Sequence, residues 1–259
     1  MKLENPPLEL ELTEKYELLV QSQPHRADVR TVRQMLDVVY DRQAAFNLHS
    51  QQPLYYMFRD VKRAEDAALF QNSGMRYDLT VLPPLKIGPE FNKTYGHYHE
   101  LATQKLTYPE LYEVLHGEAI YVVQLRQSMV SNEVTRVYLV HAKAGDKVLV
   151  PPNFGHVTIN PSATEPLVMD NLVYGNFKSE YILYRQKHGA AIFVLSNEKK
   201  KNPNYHQFPM EELPAKQFNR LINPSIGMQL DEGRNYEMFL KNPKLFDFLK
   251  DPAQVEFRH

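Results

Sequence analysis

Thr-Tyr-Gly-His-Tyr-His, at positions 94–99, contains two histidines separated by a single residue. Side chains two residues apart on a β-strand point to the same face, so His97 and His99 would present both imidazoles to one point. Two more candidates follow: Glu110 opens the run Glu-Leu-Tyr-Glu-Val-Leu-His-Gly at 110–117, and His156 ends Pro-Pro-Asn-Phe-Gly-His at 151–156. The pattern predicts one metal site built by β-strands.

The candidate ligands limit which metal this site could hold. The chain has no cysteine, so disulfides and thiolate ligands are excluded. Three imidazoles and one carboxylate suit Fe, Mn, Ni or Zn and offer too much nitrogen for Ca or Mg. Glu100 is a rival to Glu110 as the carboxylate ligand, but it directly follows His99 and would point to the opposite face of a strand.

Short runs rich in Tyr, Val, Ile and Phe, separated by Gly, Pro, Asn and Asp, begin near residue 54. Such runs are typical of antiparallel strands in a barrel or sandwich. They fall at 78–82, 110–115, 119–124, 135–141, 147–150, 157–160, 165–173 and 190–195. The absence of a helix-length periodic segment between Thr80 and Tyr174 argues against alternating strands and helices. The predicted fold class is mainly β.

The two ends of the chain differ from this central part. Residues 1–49 are predicted to form an N-terminal arm with one helix, because residues 29–40 place apolar side chains at helical spacing and Asp28 could be the N-cap. Residues 50–197 form the predicted barrel. Residues 198–259 are predicted to be a C-terminal extension with short helices between 236 and 250. The extension is too short for its own core, so we expect it to pack on the barrel or on a partner subunit.

Charge and terminal sequence limit the possible partners. The 259 residues carry a formal net charge of -1, so no broad cationic surface and no nucleic-acid partner are expected. The first residues lack the pattern of a secretory signal, and no apolar stretch has the length of a membrane span. A cytoplasmic protein without a membrane partner is expected.

The spacings around the candidate ligands resemble the two sequence motifs of the cupin superfamily. Glu110 precedes Gly117 by six intervening residues, Gly145 precedes Pro151 by five, and His156 precedes Asn160 by three. The resemblance implies a cupin barrel, which is a double-stranded β-helix or jelly roll. Asn153 stands where most cupins have Gly, and Asn is the residue that best replaces Gly in a left-handed turn. The gap between His99 and Glu110 is longer than in most cupins, so residues 100–109 are expected to bulge out.

A closer resemblance extends over roughly residues 50–195. Residues 76–117 and 151–189 resemble the cupin-type glucose-6-phosphate isomerases of archaea and some bacteria, most specifically at Asp78-Leu-Thr80 and Lys93-Thr-x-Gly-His-x-His. The resemblance implies a metal site formed by His97, His99, Glu110 and His156. Iron is the expected metal, with Mn, Ni and Zn as alternatives.

The same resemblance implies a set of contacts with a sugar-phosphate substrate. The hydroxyls of Thr80 and Thr94 and the amide of Gly96 would bind the phosphate, with Lys93 adding charge. Tyr112 would line the sugar pocket, Tyr174 and Tyr181 would approach the substrate, and Tyr181 would have a catalytic role. Some archaeal members have a histidine shortly before the last of these tyrosines. Here that region has no histidine, so its role would be lost unless Lys178 or Glu180 takes its place.

The implied activity is the interconversion of glucose 6-phosphate and fructose 6-phosphate by a homodimer. The reaction would run through a cis-enediol, with a metal-bound substrate and Glu110 as the base, and a hydride shift is the rival mechanism. Another metal-dependent cupin enzyme, such as a dioxygenase or decarboxylase, is an alternative because the same ligands serve those reactions. A non-catalytic sugar-phosphate-binding cupin is a further alternative.

Overall fold

The computed structural model describes residues 1–128 and 131–258. Its strands, in chain order, are β1 (Lys2–Leu3), β2 (Leu10–Leu12), β3 (Leu18–Val20), β4 (Gln23–His25), β5 (Ala27–Thr31), β6 (Pro53–Phe58), β7 (Met75–Leu82), β8 (Lys86–Ile87), β9 (Glu90–Phe91), β10 (Tyr98–His99), β11 (Glu110–His116), β12 (Glu118–Arg126), β13 (Val134–Lys143), β14 (Lys147–Val150), β15 (Phe154–Ile159), β16 (Leu167–Tyr174), β17 (Ser179–Glu180), β18 (Ile192–Val194), β19 (Lys199–Lys201) and β20 (Met210–Pro214).

The helices are short. They are α1 (Val32–Met35), α2 (Arg42–Phe46), α3 (Ala67–Ser73), α4 (Ile182–Gln186), α5 (Ala215–Ile222), α6 (Pro224–Gln229) and α7 (Asn235–Lys241), with 3₁₀ turns at Ala64–Asp66, Pro243–Leu249 and Pro252–Gln254. None of these described helices combines the length and the apolar character needed to cross a lipid bilayer.

Two sheets form the centre of the molecule. The first has six strands in the order β14-β11-β16-β7-β6-β5, and the second has four in the order β15-β12-β13-β20. Along the chain, strands β11 to β16 change from one sheet to the other in the manner of a double-stranded β-helix. The predicted mainly β, cupin-type fold is therefore confirmed. No helix lies between residues 80 and 174 of the described chain, as the sequence predicted.

Because side chains alternate along a strand, one face of the first sheet carries a polar row and the other is mainly apolar. In β7, Arg76, Asp78 and Thr80 share one face, whereas Tyr77, Leu79 and Val81 point the other way and are buried among apolar side chains. Antiparallel pairing with β16 places Asn171 opposite Asp78, and pairing of β16 with β11 places Tyr112 opposite Asn171. One polar row therefore crosses three strands on the face that carries the candidate ligands.

The N-terminal arm differs from its prediction, and the expected single helix over residues 29–40 is wrong. Residues 27–31 form strand β5, which pairs with β6 so that Arg30 lies opposite Tyr55. Helix α1 begins only at Val32, where the backbone N–H of Thr31 donates to the Gln34 side chain at 2.9 Å. Thr31, not Asp28, is the N-cap. The arm also contains α2 and a four-stranded sheet of β1 to β4. Sheet pairing outweighed a local helical pattern.

The segment after residue 198 packs on the two sheets of the same chain and supplies one of their strands. Strand β20 runs parallel to β13 at the edge of the second sheet, an addition that the sequence did not predict. Helix α5 lies on β14, where the Asn219 side chain accepts from the Leu149 N–H at 3.0 Å and donates to the Lys147 carbonyl at 2.8 Å. The predicted short helices are present as α7 and the 3₁₀ turn Pro243–Leu249. The three-part division at residues 49 and 197 stays a prediction.

A buried polar network attaches this C-terminal segment to the outer face of the first sheet. The Glu113 carboxylate, 1% exposed, accepts from Arg234 Nη1 and from the backbone N–H of Asn235, both at 2.7 Å. Lys147 Nζ lies 3.7 Å from the same carboxylate and donates to the Gly233 carbonyl at 2.6 Å. Glu113 faces away from the candidate ligands, because it lies three residues from Glu110 on the same strand and so has the opposite parity.

We expect Glu113→Gln to lower the free energy of unfolding by about 3 kcal/mol, because Arg234 and Lys147 would keep buried charges without their shared carboxylate. Urea denaturation measures this loss. Glu118→Gln is the matched control, since Glu118 is exposed on β12 and its replacement should cost less than about 0.5 kcal/mol. Equal stability of both variants would show that the network does not hold the C-terminal segment.

Candidate metal centre and adjoining cleft

The four predicted ligands come from three stretches of the chain and converge at one end of the space between the two sheets. The backbones of His97 and His156 face each other in an antiparallel bridge, with N–H···O distances of 3.3 and 3.1 Å. His99 lies in β10, and Glu110 is the first residue of β11. One ligand atom from each of the four residues lies within 4.8 Å of all the others. Glu100 is not in this group; its carboxylate accepts the Lys178 N–H at 3.0 Å.

The hydrogen-bonding pattern leaves electron pairs pointing at one another. His99 Nδ1 lies 2.7 Å from the Tyr108 carbonyl oxygen, which can only accept, so a neutral His99 carries its proton on Nδ1 and presents a bare Nε2. That Nε2 is 3.1 Å from His97 Nε2 and 3.2 Å from Glu110 Oε2. Glu110 Oε2, which is also 3.3 Å from His156 Nε2, is buried and has no hydrogen-bond partner among the described residues.

Such a cluster fits a divalent cation. Three imidazoles and a carboxylate could hold one, and a cation would convert the mutual repulsion of their lone pairs into coordination bonds. Burial, with the neighbouring imidazoles of His156 and His99, holds the pKa of His97 well below its ordinary value. Burial also lowers the pKa of His156. Burial alone would raise the pKa of Glu110, but its contacts with His156 and His99 outweigh that effect and hold it well below the usual range. Neutral imidazoles and an ionised carboxylate are the forms that bind metals.

A cleft of about 650 Å³, including its open mouth, leads from this cluster between the sheets. Thr80, Thr94 and Gly96 line it, as the resemblance implied. The Thr94 hydroxyl accepts the Thr158 N–H at 3.0 Å and keeps its own proton to donate. Gly96 has a φ of +86°, and a Cβ there would lie 2.5 Å from Val157 Cγ2, so only glycine fits this backbone.

Two of the three predicted tyrosines reach the cleft. Tyr112 lies on the face of β11 that carries Glu110, and its hydroxyl is 2.9 Å from His156 Nε2. Burial and the Glu110 charge raise the pKa of Tyr112 well above its usual value, so it stays a neutral phenol. The Tyr181 ring lines the cleft with its centroid 5.7 Å from that of His97.

The structure places Tyr174 outside the cleft lining, so its substrate contact stays a prediction. Its ring stacks on Tyr108 at 5.1 Å and packs against Gly74, outside the residues that line the cleft. Strand alternation explains this position, because Met169 and Asn171 of β16 face the cleft and residue 174 has the opposite parity.

The three charged residues considered near the site are not among the residues that line the cleft. Lys93 Nζ binds Glu90 and the Val38 carbonyl, Glu180 binds Arg126 at 2.9 Å, and Lys178 is not among the cleft-lining residues. The roles considered for Lys93, Lys178 and Glu180 in substrate binding therefore stay predictions. Phe177 packs on His99 with ring centroids 4.1 Å apart.

Sequence reasoning missed the three arginines that line the cleft, Arg30, Arg59 and Arg76. Arg59 Nη1 and Arg76 Nε hold the fully buried Asp78 at 2.7 and 2.9 Å. Arg76 could have been found, since it lies two residues before the predicted strand 78–82 and has the same parity as Thr80. Arg30 could not, because the segment around it was predicted to be helical.

These features define a cupin with a candidate metal site and a cationic cleft, and comparison with known proteins identifies the family. The family model described as Glucose-6-phosphate isomerase (GPI) matches residues 29–210, which is more than half of the chain. The chain therefore belongs to the glucose-6-phosphate isomerase family, and the prediction of an enzyme of this family is confirmed.

Several relatives carry the same name. The glucose-6-phosphate isomerase of Thermococcus gammatolerans is 28% identical over 166 residues, which cover 64% of this chain and 79% of that protein. The enzyme of Thermococcus litoralis is 29% identical over 134 residues, covering 51% of this chain and 64% of its own length.

Solved structures give weaker likenesses. Tomato vicilin (Solanum lycopersicum) is 12% identical with a TM-score of 0.33, over 48% of this chain and 30% of its own. A single-residue variant of the oxalate decarboxylase of Bacillus subtilis is 13% identical with a TM-score of 0.33, over 48% of this chain and 26% of its own. The chain thus spans less than a third of either structure, and at these scores neither bears on the assignment.

We expect His156→Ala or His97→Ala to lose most of the bound metal, because each removes one nitrogen from the cluster. Metal content after loading with Fe, Mn, Ni or Zn and gel filtration measures this. His116→Ala is the control, since His116 also lies on β11 but contacts Glu165 outside the cluster. One metal per chain retained by His156→Ala would rule out this cluster as the binding site.

Proposed function

We propose that this protein is a metal-dependent aldose–ketose isomerase that interconverts glucose 6-phosphate and fructose 6-phosphate. The proposal rests on one observation: the same cleft contains two features that a sugar-phosphate isomerase needs. A cluster able to hold a divalent metal lies at one end, and Thr80, Thr94, Gly96 and three arginines line the wall. A sugar phosphate needs both, since its carbonyl must be polarised and its phosphate charge must be compensated. The names of the Thermococcus relatives support the same activity.

A divalent metal, for which we propose iron, would act as a Lewis acid on the substrate carbonyl and the neighbouring hydroxyl. Glu110 moves the proton that isomerisation transfers between C2 and C1, through a cis-enediol. Its low pKa keeps it ionised near neutral pH, so it is ready to accept that proton. The neutral Tyr112 phenol lies beside it and can donate a hydrogen bond to a developing alkoxide.

The remaining residues hold the sugar phosphate in place. Thr80 and Thr94 offer hydroxyl donors, and the tight backbone at Gly96 lets the chain approach a phosphate without a side chain intervening. Tyr181, between His97 and Tyr95, offers a phenol to a sugar oxygen near the metal end. Phe177 covers His99 and excludes water from that side of the cluster.

We expect Glu110→Gln to lower kcat by about 10³-fold or more, because the amide keeps the volume but cannot accept the proton. Coupled assays of glucose 6-phosphate conversion measure the loss. Glu100→Gln is the matched control, since Glu100 lies one residue from His99 yet outside the ligand group. Normal turnover by Glu110→Gln would sink the proposed base.

Chelation and isotope exchange test the chemistry separately. Removing the metal should abolish isomerisation, and adding Fe, Mn, Ni or Zn back should restore it. In D₂O, proton transfer by Glu110 should place solvent deuterium on carbon in the product, whereas a direct hydride shift would leave the product unlabelled.

Tyr174 and Tyr181 should behave differently. Tyr181→Phe is expected to lower kcat/KM by about 10-fold or more, since it removes a hydrogen bond to the substrate in a largely buried site. Tyr174→Phe should stay within about twofold of wild type, because its ring packs on Tyr108 outside the cleft. Steady-state kinetics of both variants decide this, and the reverse order of effects would contradict the geometry.

A further inference from the structure

Arg30 enters the cleft from the edge of the first sheet. It lies on β5 directly opposite Tyr55 of β6, so both side chains share the face of the sheet that borders the cleft. Its guanidinium carbon is 5.6 Å from the centre of the Tyr95 ring and 5.9 Å from that of Tyr181. Tyr95 separates Thr94 from Gly96, so Arg30 lies beside the hydroxyl-and-amide segment.

Arg30 differs from Arg59 and Arg76, whose charges are compensated by a carboxylate. Arg59 and Arg76 share the buried carboxylate of Asp78. Arg30, by contrast, forms no ion pair with any Asp or Glu in residues 1–128 or 131–258; its polar contact is with the Tyr55 hydroxyl. A half-buried guanidinium among aromatic rings keeps N–H donors available for an anion. Solvent screens its attraction for that anion only weakly.

The wall of the cleft therefore has a surplus of positive charge at the segment 94–96. Hydroxyls and a backbone amide bind phosphate only modestly unless a cation joins them, and Arg forms paired hydrogen bonds with phosphate oxygens. Tyr55 holds the segment 94–96 and the Arg30 guanidinium together, since its hydroxyl accepts from the Tyr95 N–H at 3.3 Å while contacting Arg30.

We propose that Arg30 binds the phosphate group of the substrate and thereby determines the preference of the enzyme for phosphorylated sugars. This inference rests on the proposed function and adds to it a residue that the sequence analysis did not predict. The competing role is structural, in which Arg30 only holds the Tyr95 and Tyr181 rings in place.

Three variants separate these roles. Arg30→Gln should raise KM for fructose 6-phosphate by about 10- to 100-fold, with a much smaller change in kcat. It should raise the inhibition constant of inorganic phosphate by a similar factor. Arg30→Lys, which keeps the charge, should recover part of both losses. Arg33→Gln is the matched control, because Arg33 follows in the same segment but is exposed and does not line the cleft.

The outcomes are distinct. If Arg30 only supported the rings, Arg30→Gln would lower kcat or metal content and leave inhibition by inorganic phosphate unchanged, and the inference would be overturned. Unchanged KM and phosphate inhibition would overturn it as well. If the wild-type protein did not isomerise glucose 6-phosphate at all, the proposed function would fail. Titration of wild type and Arg30→Gln with inorganic phosphate would then still decide whether Arg30 binds phosphate.

Discussion

The arrangement of the strands depends on the close packing of one carboxylate and three imidazoles at the candidate metal centre. Glu110 Oε2 faces two imidazole nitrogens at 3.2 and 3.3 Å in a buried setting where water cannot separate them. Holding such groups together without a proton or cation between them costs energy, so the surrounding backbone must be rigid. The paired bridge between His97 and His156 provides that rigidity from the second sheet, and β11 provides it from the first.

The loop before Glu110 shows how this rigidity is maintained. Residues 100–109 bulge out between β10 and β11, as the long spacing predicted. Asn153 ties this loop down, because its N–H donates to the Thr107 hydroxyl at 2.6 Å and its side chain accepts the Thr107 N–H at 3.1 Å. Asn153 has a φ of +71°, so the left-handed turn expected at the position usually held by glycine is present. The long loop is therefore attached to the turn that leads to His156.

Local patterns in the sequence predicted the centre of the molecule well. The alternation of apolar residues located the strands, and the spacings between His97, His99, Glu110 and His156 predicted residues that the structure brings together. The strand runs and the motif spacings depend on residues close together in the chain. A single sequence was therefore enough to predict them. Tyr174 lies outside the cleft lining, because similarity at one position does not fix which face of a strand a residue occupies.

Long-range pairing accounts for what the sequence did not predict. Strand β5 overlaps the first residues of the predicted helical segment 29–40, and pairing with β6 makes that part a strand. Strand β20 consists mostly of exposed residues and gains its conformation from β13. The arginines of the cleft were missed for the same reason, since Arg30 and Arg59 reach it only through the order of strands in the sheet. The expected homodimer stays a prediction.

The strict alternation along β11 has an evolutionary consequence. Glu110 and Tyr112 point toward the chemistry, whereas Glu113, with the opposite parity, holds the C-terminal segment. Neighbouring codons in one short stretch of gene therefore encode two kinds of contact, one with the cleft and one with the C-terminal segment. A lineage could retune its substrate through one set of these codons while the other set preserved the fold, without any change in chain length.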